Sequence, residues 1–226
     1  METLQEKAFE YLKDMIINHE LSYHEIYSET QIANQIGISR TPLRDAIHRL
    51  KQEGLIETIP SKGFRLHQLT KKDVIETFQI RSAIECYCTL EITKQYQSQR
   101  AAGLFEQLEK ALAEMQRIID STHSIQEFCK YDFQFHTLII EYMQNEQFTY
   151  TFNTFMYRMQ KLAATSLMHK GRMEQTYREH LDIFTAMRSG DTGHVYQITL
   201  THMDTPKHIN LEDIDTLMKE VPGDKG

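Results

Sequence analysis

The sequence predicts a mainly α protein, an N-terminal winged helix-turn-helix followed by a C-terminal all-helical bundle. Three observations carry this. Apolar residues recur at helical spacing along nearly the whole chain. The exception is a pair of short β-type runs, 55–59 and 64–66, joined by Pro60-Ser61-Lys62-Gly63, a connection suited to a tight hairpin. The charge also changes sign: residues 1–35 hold two Lys against seven acids, and residues 36–67 hold six Lys or Arg against three. A surface that meets phosphate would begin at that reversal.

Leu4, Ala8, Leu12, Met15 and Ile16 give the first helix an apolar stripe. Ser28, with Gln31 three residues on, has the form of a capping box for a second helix carrying Ile32, Ala33 and Ile36, which Gly37 ends. Ser39 is placed to cap the third helix, and Pro42 sits in its first turn, where a missing N–H costs little. Leu43, Ala46, Ile47 and Leu50 form one face of this helix; Arg40, Thr41, Arg44 and His48 share the other. Gly54 supplies the stop. An ordinary helical hairpin with a solvated charged face is the bland alternative, and the charge reversal argues against it. In a winged helix-turn-helix the N-terminal end of such a helix enters the DNA major groove, where Arg makes bidentate contacts to guanine.

The expected domains are 1–69, a DNA-binding unit, and 70–226, a helical unit. Between them lies only a short connection ending at Thr70, a candidate cap. Six helices are expected beyond it, at 72–96, 100–119, 124–144, 146–169, 172–188 and 191–204, with one further short helix around Leu211 to Val221 after Pro206.

The net charge of −7 suits a small DNA-contacting face on an acidic body. The N-terminus has no basic region followed by an apolar segment, and no apolar run exceeds three residues, so neither a signal peptide nor a membrane span is expected. Cys86, Cys88 and Cys129 are odd in number and lack zinc-ribbon spacing. The expectation is a cytoplasmic protein.

Polar residues on apolar stripes mark the second unit. Ile125, Phe128, Cys129, Phe135, Ile139 and Met143 define one buried face, with Asp132 and His136 on the same face four residues apart. His180 is in line with Tyr177, Leu181, Phe184 and Met187, and Val195, Ile198 and Thr199 lead to His202. A buried carboxylate is costly unless it is paired or bound to metal. Asp132 with three imidazoles would suit a divalent transition metal and leave positions open for water or a ligand. A lone histidine on an apolar face is nonetheless more often a hydrogen-bonded core residue, and the spacing alone does not bring the three helices together. Arg81 falls within the stripe Val74, Phe78, Ile84 and Cys88; it either pairs with an internal acid such as Glu85 or awaits an anion. Arg158 is a second, weaker candidate, among Phe155, Met159 and Leu162.

The run Ser39-Arg-Thr-Pro-Leu-Arg-Asp-Ala46, then Leu50, Glu53-Gly54-Leu55-Ile56, Pro60 and Gly63, resembles the DNA-binding domain of the GntR family of bacterial transcription regulators. The resemblance implies DNA contacts from Arg40, Thr41 and Arg44, with Gly63 at the wing tip; Ser39 and Lys62 are expected on the same DNA-binding surface. One departure is Thr30, where the family commonly has an Arg that reaches DNA; Thr30 brings no charge. Asp132-Phe-Gln-Phe-His136, Glu179-His180 and His202 resemble the metal-ligand pattern of the all-helical FCD effector domain of the FadR-type subgroup. That implies metal ligands Asp132, His136, His180 and His202, zinc first with nickel or manganese as alternatives. It also implies a small carboxylate effector met by Arg81, with Arg158 the weaker candidate from its own stripe, as well as homodimers and, with them, a palindromic double-stranded operator. The expected function is therefore a ligand-responsive transcription regulator, a repressor more than an activator. Two other readings stand beside it: a regulator with a purely structural metal that responds to acyl-CoA or to no small molecule, and a metal-dependent hydrolase. No separate general base or oxyanion arrangement supports the hydrolase, so a protein that is not an enzyme is expected.

Overall fold

The computed structural model describes residues 3–17 and 20–220. Its contacts divide the chain into two compact units, Met1–Leu69 and Thr70–Gly226.

The first unit holds α1 (Leu4–Ile17), α2 (Glu29–Ile36), α3 (Arg40–Gln52), β1 (Ile56–Ile59) and β2 (Gly63–Leu66). Gly37 ends α2 in the left-handed conformation, φ 73°, which a residue without Cβ adopts freely. The apolar face of α3 is buried as its spacing requires: Leu43, Ala46, Ile47 and Leu50 pack toward α1. On α1 the buried set is Ala8, Phe9, Leu12 and Ile16, while Leu4 is exposed. Phe9 was not legible in the stripe; it is covered by the guanidinium of Arg49, 3.6 Å from the ring centroid. The expected serine caps do not form, since neither the Ser28 nor the Ser39 hydroxyl bonds to its helix.

β1 and β2 pair antiparallel, Ile56 opposite Leu66 and Ile59 opposite Gly63. The turn at the tip is 60–62, with Ser61 at φ 60°, so Gly63 opens the returning strand instead of capping the wing. Tyr27 and Phe64 exchange backbone hydrogen bonds of 2.7 and 3.1 Å, which ties the segment before α2 to β2. This contact explains the glycine. At Gly63 φ is +130° and an added Cβ would lie 2.0 Å from the carbonyl oxygen of Tyr27. Gly63→Ala is expected to destabilise the N-terminal unit by about 2 to 3 kcal/mol through strain and displacement of that bridge. A thermal melt unchanged from the parent would contradict this.

The second unit comprises α4 (Lys71–Lys94), α5 (Gln99–Asp120), α6 (Ile125–Tyr142), α7 (Glu146–Leu167), α8 (Arg172–Ser189) and α9 (Val195–Glu220). Thr70 and Asp73 form a reciprocal capping box at the start of α4. α4 is central: it packs against α6, α7, α8 and α9 and buries residues all round, including Arg81 and Glu85. Leu181, read as part of the apolar face of α8, is exposed; that face is Met173, Thr176, His180, Ile183, Phe184 and Met187.

α9 departs from the expected ending near residue 204. It runs through Pro206 to Glu220 as one helix; Val221, the last residue of the expected short helix, lies outside the described residues. Proline cannot donate to the carbonyl four residues back, here that of His202, and costs about 3 kcal/mol inside a helix. Tertiary contacts offset this. Met203 and Asn210 are buried, and the Asn210 amide donates to the carbonyls of Leu162 on α7 and Pro206, at 3.1 and 2.7 Å.

Candidate functional site

On the first unit, α3 presents Ser39, Arg40, Thr41 and Arg44 to solvent. A hollow beside it is lined by Ser28, Glu29 and Thr30 of α2 and its cap, by Arg40 and Arg44, and by Thr58–Gly63 of the wing. The structure thus brings Arg40, Arg44, Lys62 and Gly63 to one face, with Thr30 among them; Ser39 and Thr41 are exposed at the start of the same helix. Glu29 was not singled out from the sequence. One of its oxygens, Oε2, accepts from Nε of Arg44 at 2.7 Å and from Nη2 of Arg40 at 3.4 Å. The Arg44 bond outweighs partial burial and holds the Glu29 carboxyl below its usual range. The two guanidiniums remain more than half exposed, so the carboxylate orients them without covering them.

In the second unit α6, α8 and α9 bring three histidines together. Nε2 of His180 lies 3.1 Å from Nε2 of His136 and 3.2 Å from that of His202, and the third side of the triangle is 3.3 Å. All three rings are buried, and Phe135 stacks on His180 with ring centroids 4.5 Å apart. Asp132 is also buried but reaches only one member, with Oδ1 3.6 Å from His180 Nε2.

Two glutamates decide which ring nitrogen faces inward. Nδ1 of His202 bonds Oε2 of Glu179 at 2.8 Å. Nδ1 of His136 lies 2.5 Å from Oε2 of Glu85, an ionic contact that misses hydrogen-bond angles. Facing a carboxylate, each Nδ1 carries the proton, which leaves the Nε2 lone pairs pointing into the triangle. Each glutamate is held in turn by an arginine: Arg81 Nε donates to Glu85 at 2.8 Å, and Arg172 forms a two-pronged pair with Glu179, both bonds 2.8 Å. Burial raises the Glu85 carboxyl, but Arg81 and His136 outweigh it and bring it down to about 2. Burial likewise raises Glu179, and its bonds to His202 and Arg172 leave it lowered. Burial pushes His180 well below the ordinary imidazole range, reinforced by its two neighbouring histidines, and lowers His202 against the pull of Glu179.

Nδ1 of His180 has no partner among the described residues, so its Nε2 either bears a proton between the two inward lone pairs or joins them around a cation. The Nε2 separations of 3.1–3.3 Å fall between the roughly 3.0 Å of neighbouring ligands on an octahedral ion and the roughly 3.4 Å on a tetrahedral one, for a metal–nitrogen distance of about 2.1 Å. The residues therefore fit a divalent transition metal. A cavity beside the triad is lined by Arg81, Asp132, His136 and His202, and also by Ser166 and Arg172. Arg81 pairs with Glu85, the first of its two readings, and is also among the lining residues. Arg158 is not among the lining residues; it pairs with Asp73 at 3.2 Å. Arg172 and Ser166 were missed in the sequence. The signal for Arg172 was its seven-residue spacing from Glu179, two helical turns along one face of α8. The three thiols are pushed by burial up to about 12 and offer no nucleophile at neutral pH.

The depressed histidine sets a pH dependence for the metal-free protein. Below the ordinary value of 6.5 the unfolded chain protonates His180 while the folded chain resists, so stability falls as pH falls, by up to about 1.4 kcal/mol per unit for this residue. Glu85 adds a loss of the same sign from 4.5 down toward 2, because its folded value is the lower one. Urea midpoints measured in a chelator should be lower at pH 5.5 than at 7.5; an equal or higher midpoint at 5.5 would refute the buried neutral imidazole.

A winged helix-turn-helix followed by a helical unit with a buried histidine triad defines a DNA-binding regulator of two domains. Residues 4–66 match the gntR family of bacterial regulatory proteins, and residues 76–205 match the FCD domain. The chain belongs to the GntR family, in the group with an FCD domain, and is a DNA-binding transcription regulator of that type. It is 26% identical to the HTH-type transcriptional repressor RspR of Escherichia coli K12, over 85% of this chain and 84% of that one. Its fold is similar to that of a protein from Rhodococcus sp. RHA1 described as a GntR transcriptional regulator, with a TM-score of 0.69, 17% identity, and 91% and 97% of the two chains covered. It is also similar to the Zn2+-bound FCD domain of TM0439, with a TM-score of 0.52, 18% identity, 66% of this chain and 99% of that one covered. None of the described helices is long and apolar enough to cross a membrane.

Proposed function

We propose that this regulator is a repressor whose FCD domain holds a divalent metal, zinc first and nickel or manganese as alternatives, and is released from DNA by a small carboxylate. The observation that carries the reading is the convergence of three imidazole nitrogens, two with tautomers set by buried glutamates, beside a cavity lined by Arg81 and Asp132. His136, His180 and His202 would hold the ion, with Asp132 as the fourth ligand. The bound ion would supply open Lewis-acid positions for a carboxylate. Arg81 faces the same anion, while Arg158, paired with Asp73, serves the start of α4. The repressor name of RspR and the zinc in the similar FCD domain support this assignment.

On DNA the proposal places Arg40, Thr41 and Arg44 in the major groove, Ser39 on phosphate and the wing residues Lys62 and Gly63 beside them. A homodimer would meet a palindromic operator with two half-sites. Only residues 67–70 connect β2 to α4, so a change of packing in the FCD domain has a short path to the DNA-binding unit. For release, the acid must bind the DNA-free form more tightly, and about 1.4 kcal/mol of preference gives a tenfold shift. The test is an operator gel shift with zinc-loaded and chelator-stripped protein across a panel of small acids. One acid should release DNA from the loaded form alone. Release that is indifferent to the metal, or turnover of the acid, would exclude this reading.

A further inference from the structure

Among the described residues, the hollow between α2, α3 and the wing is lined by three basic side chains, Arg40, Arg44 and Lys62, and by one acid, Glu29. A carboxylate on a face that is to meet phosphate works against every non-specific contact that face can make. Glu29 is also the least exposed member of its ion pairs: its side chain is 21% exposed, against 53% for Arg40 and 59% for Arg44. The bond to Arg44 outweighs this partial burial and keeps the carboxyl ionised at neutral pH.

Which atoms Glu29 holds decides what the arginine can still do. A guanidinium can grip a base in two places by either of two edges, the side formed by Nε and one Nη or the end formed by both Nη groups. Glu29 Oε2 accepts from Arg44 Nε at 2.7 Å, which occupies the side edge. The end fork is left for the O6 and N7 of a guanine. The longer contact of the same oxygen with Arg40 Nη2, at 3.4 Å, draws the second guanidinium to the same point. The anchor comes from outside α3, at the first residue of α2, where an acid also suits the helix dipole.

We infer that Glu29 is a specificity-determining residue. It positions Arg44 with the end fork presented to the base edges, and its charge weakens the binding of the same face to phosphate of any sequence. Discrimination between DNA sequences is a difference of two affinities, and Glu29 acts on both with opposite sign. This role rests on the reading that places Arg40 and Arg44 in the major groove.

The test uses the full chain and two duplexes, the sequence that the parent protein enriches from a random pool and a shuffled version of it, in gel-shift titrations over a salt series. Glu29→Ala should bind the enriched duplex about fivefold or more weakly and the shuffled one about twofold or more tightly. Its salt dependence on the shuffled duplex should be steeper, because the released arginines meet phosphate. Glu29→Gln keeps an acceptor for Arg44 Nε without the charge. It should recover most of the affinity for the enriched duplex and retain the gain on the shuffled one. A glutamate that only stabilises the start of α2 would lower both affinities together, with a lower melting temperature, and that result overturns the inference. A ratio of the two affinities within about twofold of the parent in Glu29→Ala overturns it as well. Arg44→Ala, run beside these variants, shows whether the major-groove reading survives: a loss of affinity for the enriched duplex keeps it. Affinity within about threefold of the parent in Arg44→Ala, or a parent that enriches no sequence, overturns both.

Discussion

If the triad holds zinc and the zinc an acid, as proposed, His180→Ala is expected to lower zinc affinity by about a hundredfold or more and to remove acid binding with it, while operator binding without effector changes little. Its Nε2 is the atom closest to both other imidazoles, at 3.1 and 3.2 Å, and the one nearest Asp132. Loss of an orienting partner alone typically costs 10- to 100-fold in metal affinity, and loss of a ligand costs more. The same substitution removes a fully buried ring stacked on Phe135, so part of the effect is a cavity in the core. Calorimetry with zinc, and then with the active acid, separates the two. His180→Gln keeps much of the volume and should lose metal affinity nearly as far. A variant that melts lower but binds zinc and acid like the parent would show that the triad is only core.

With Arg44 in the major groove as proposed, Arg44→Ala is expected to abolish specific operator binding and to leave the fold, and the proposed dimer, intact. The side chain is 59% exposed on the polar face of α3, and its principal contact is with Glu29, so little packing is lost. A bidentate contact to a base is worth about 1 to 3 kcal/mol. Over two half-sites this is about 2 to 6 kcal/mol, roughly 30-fold to 25,000-fold in affinity for the operator. Non-specific binding falls much less, because it depends on the whole basic face. A gel-shift titration at fixed salt decides it, and operator affinity within threefold of the parent would remove Arg44 from the interface.

How much of this was legible depended on whether the determining interaction was local. The helix faces of α3 and α4, the hairpin and the cap at Thr70 follow from spacing over a few residues, because period and capping act within a turn or two. The Arg81–Glu85 pair was visible for the same reason, four residues apart on one helix, but only as one of two readings of Arg81. The GntR and FCD resemblances likewise rest on short runs of residues. What failed at this level were the Ser28 and Ser39 caps, the exposed Leu4 and Leu181, and the helix expected to end at Pro206, each overridden by a contact or an exposure that only packing sets.

By itself the sequence determined the class of protein, the face of α3 that is free to bind, and the burial of Arg81, Asp132, His136, His180 and His202 on the apolar stripes of the helical unit. The tertiary structure decided what those buried residues do to each other. It placed Nε2 atoms from three helices within 3.3 Å, put Glu85 and Glu179 behind two of the rings, and set Arg172 and Ser166 on the cavity wall while pairing Arg158 with Asp73. The reason is physical. A histidine's role depends on which nitrogen carries the proton and what that nitrogen meets, and its partners here lie as far as 66 residues away in the chain, where no local periodicity reaches.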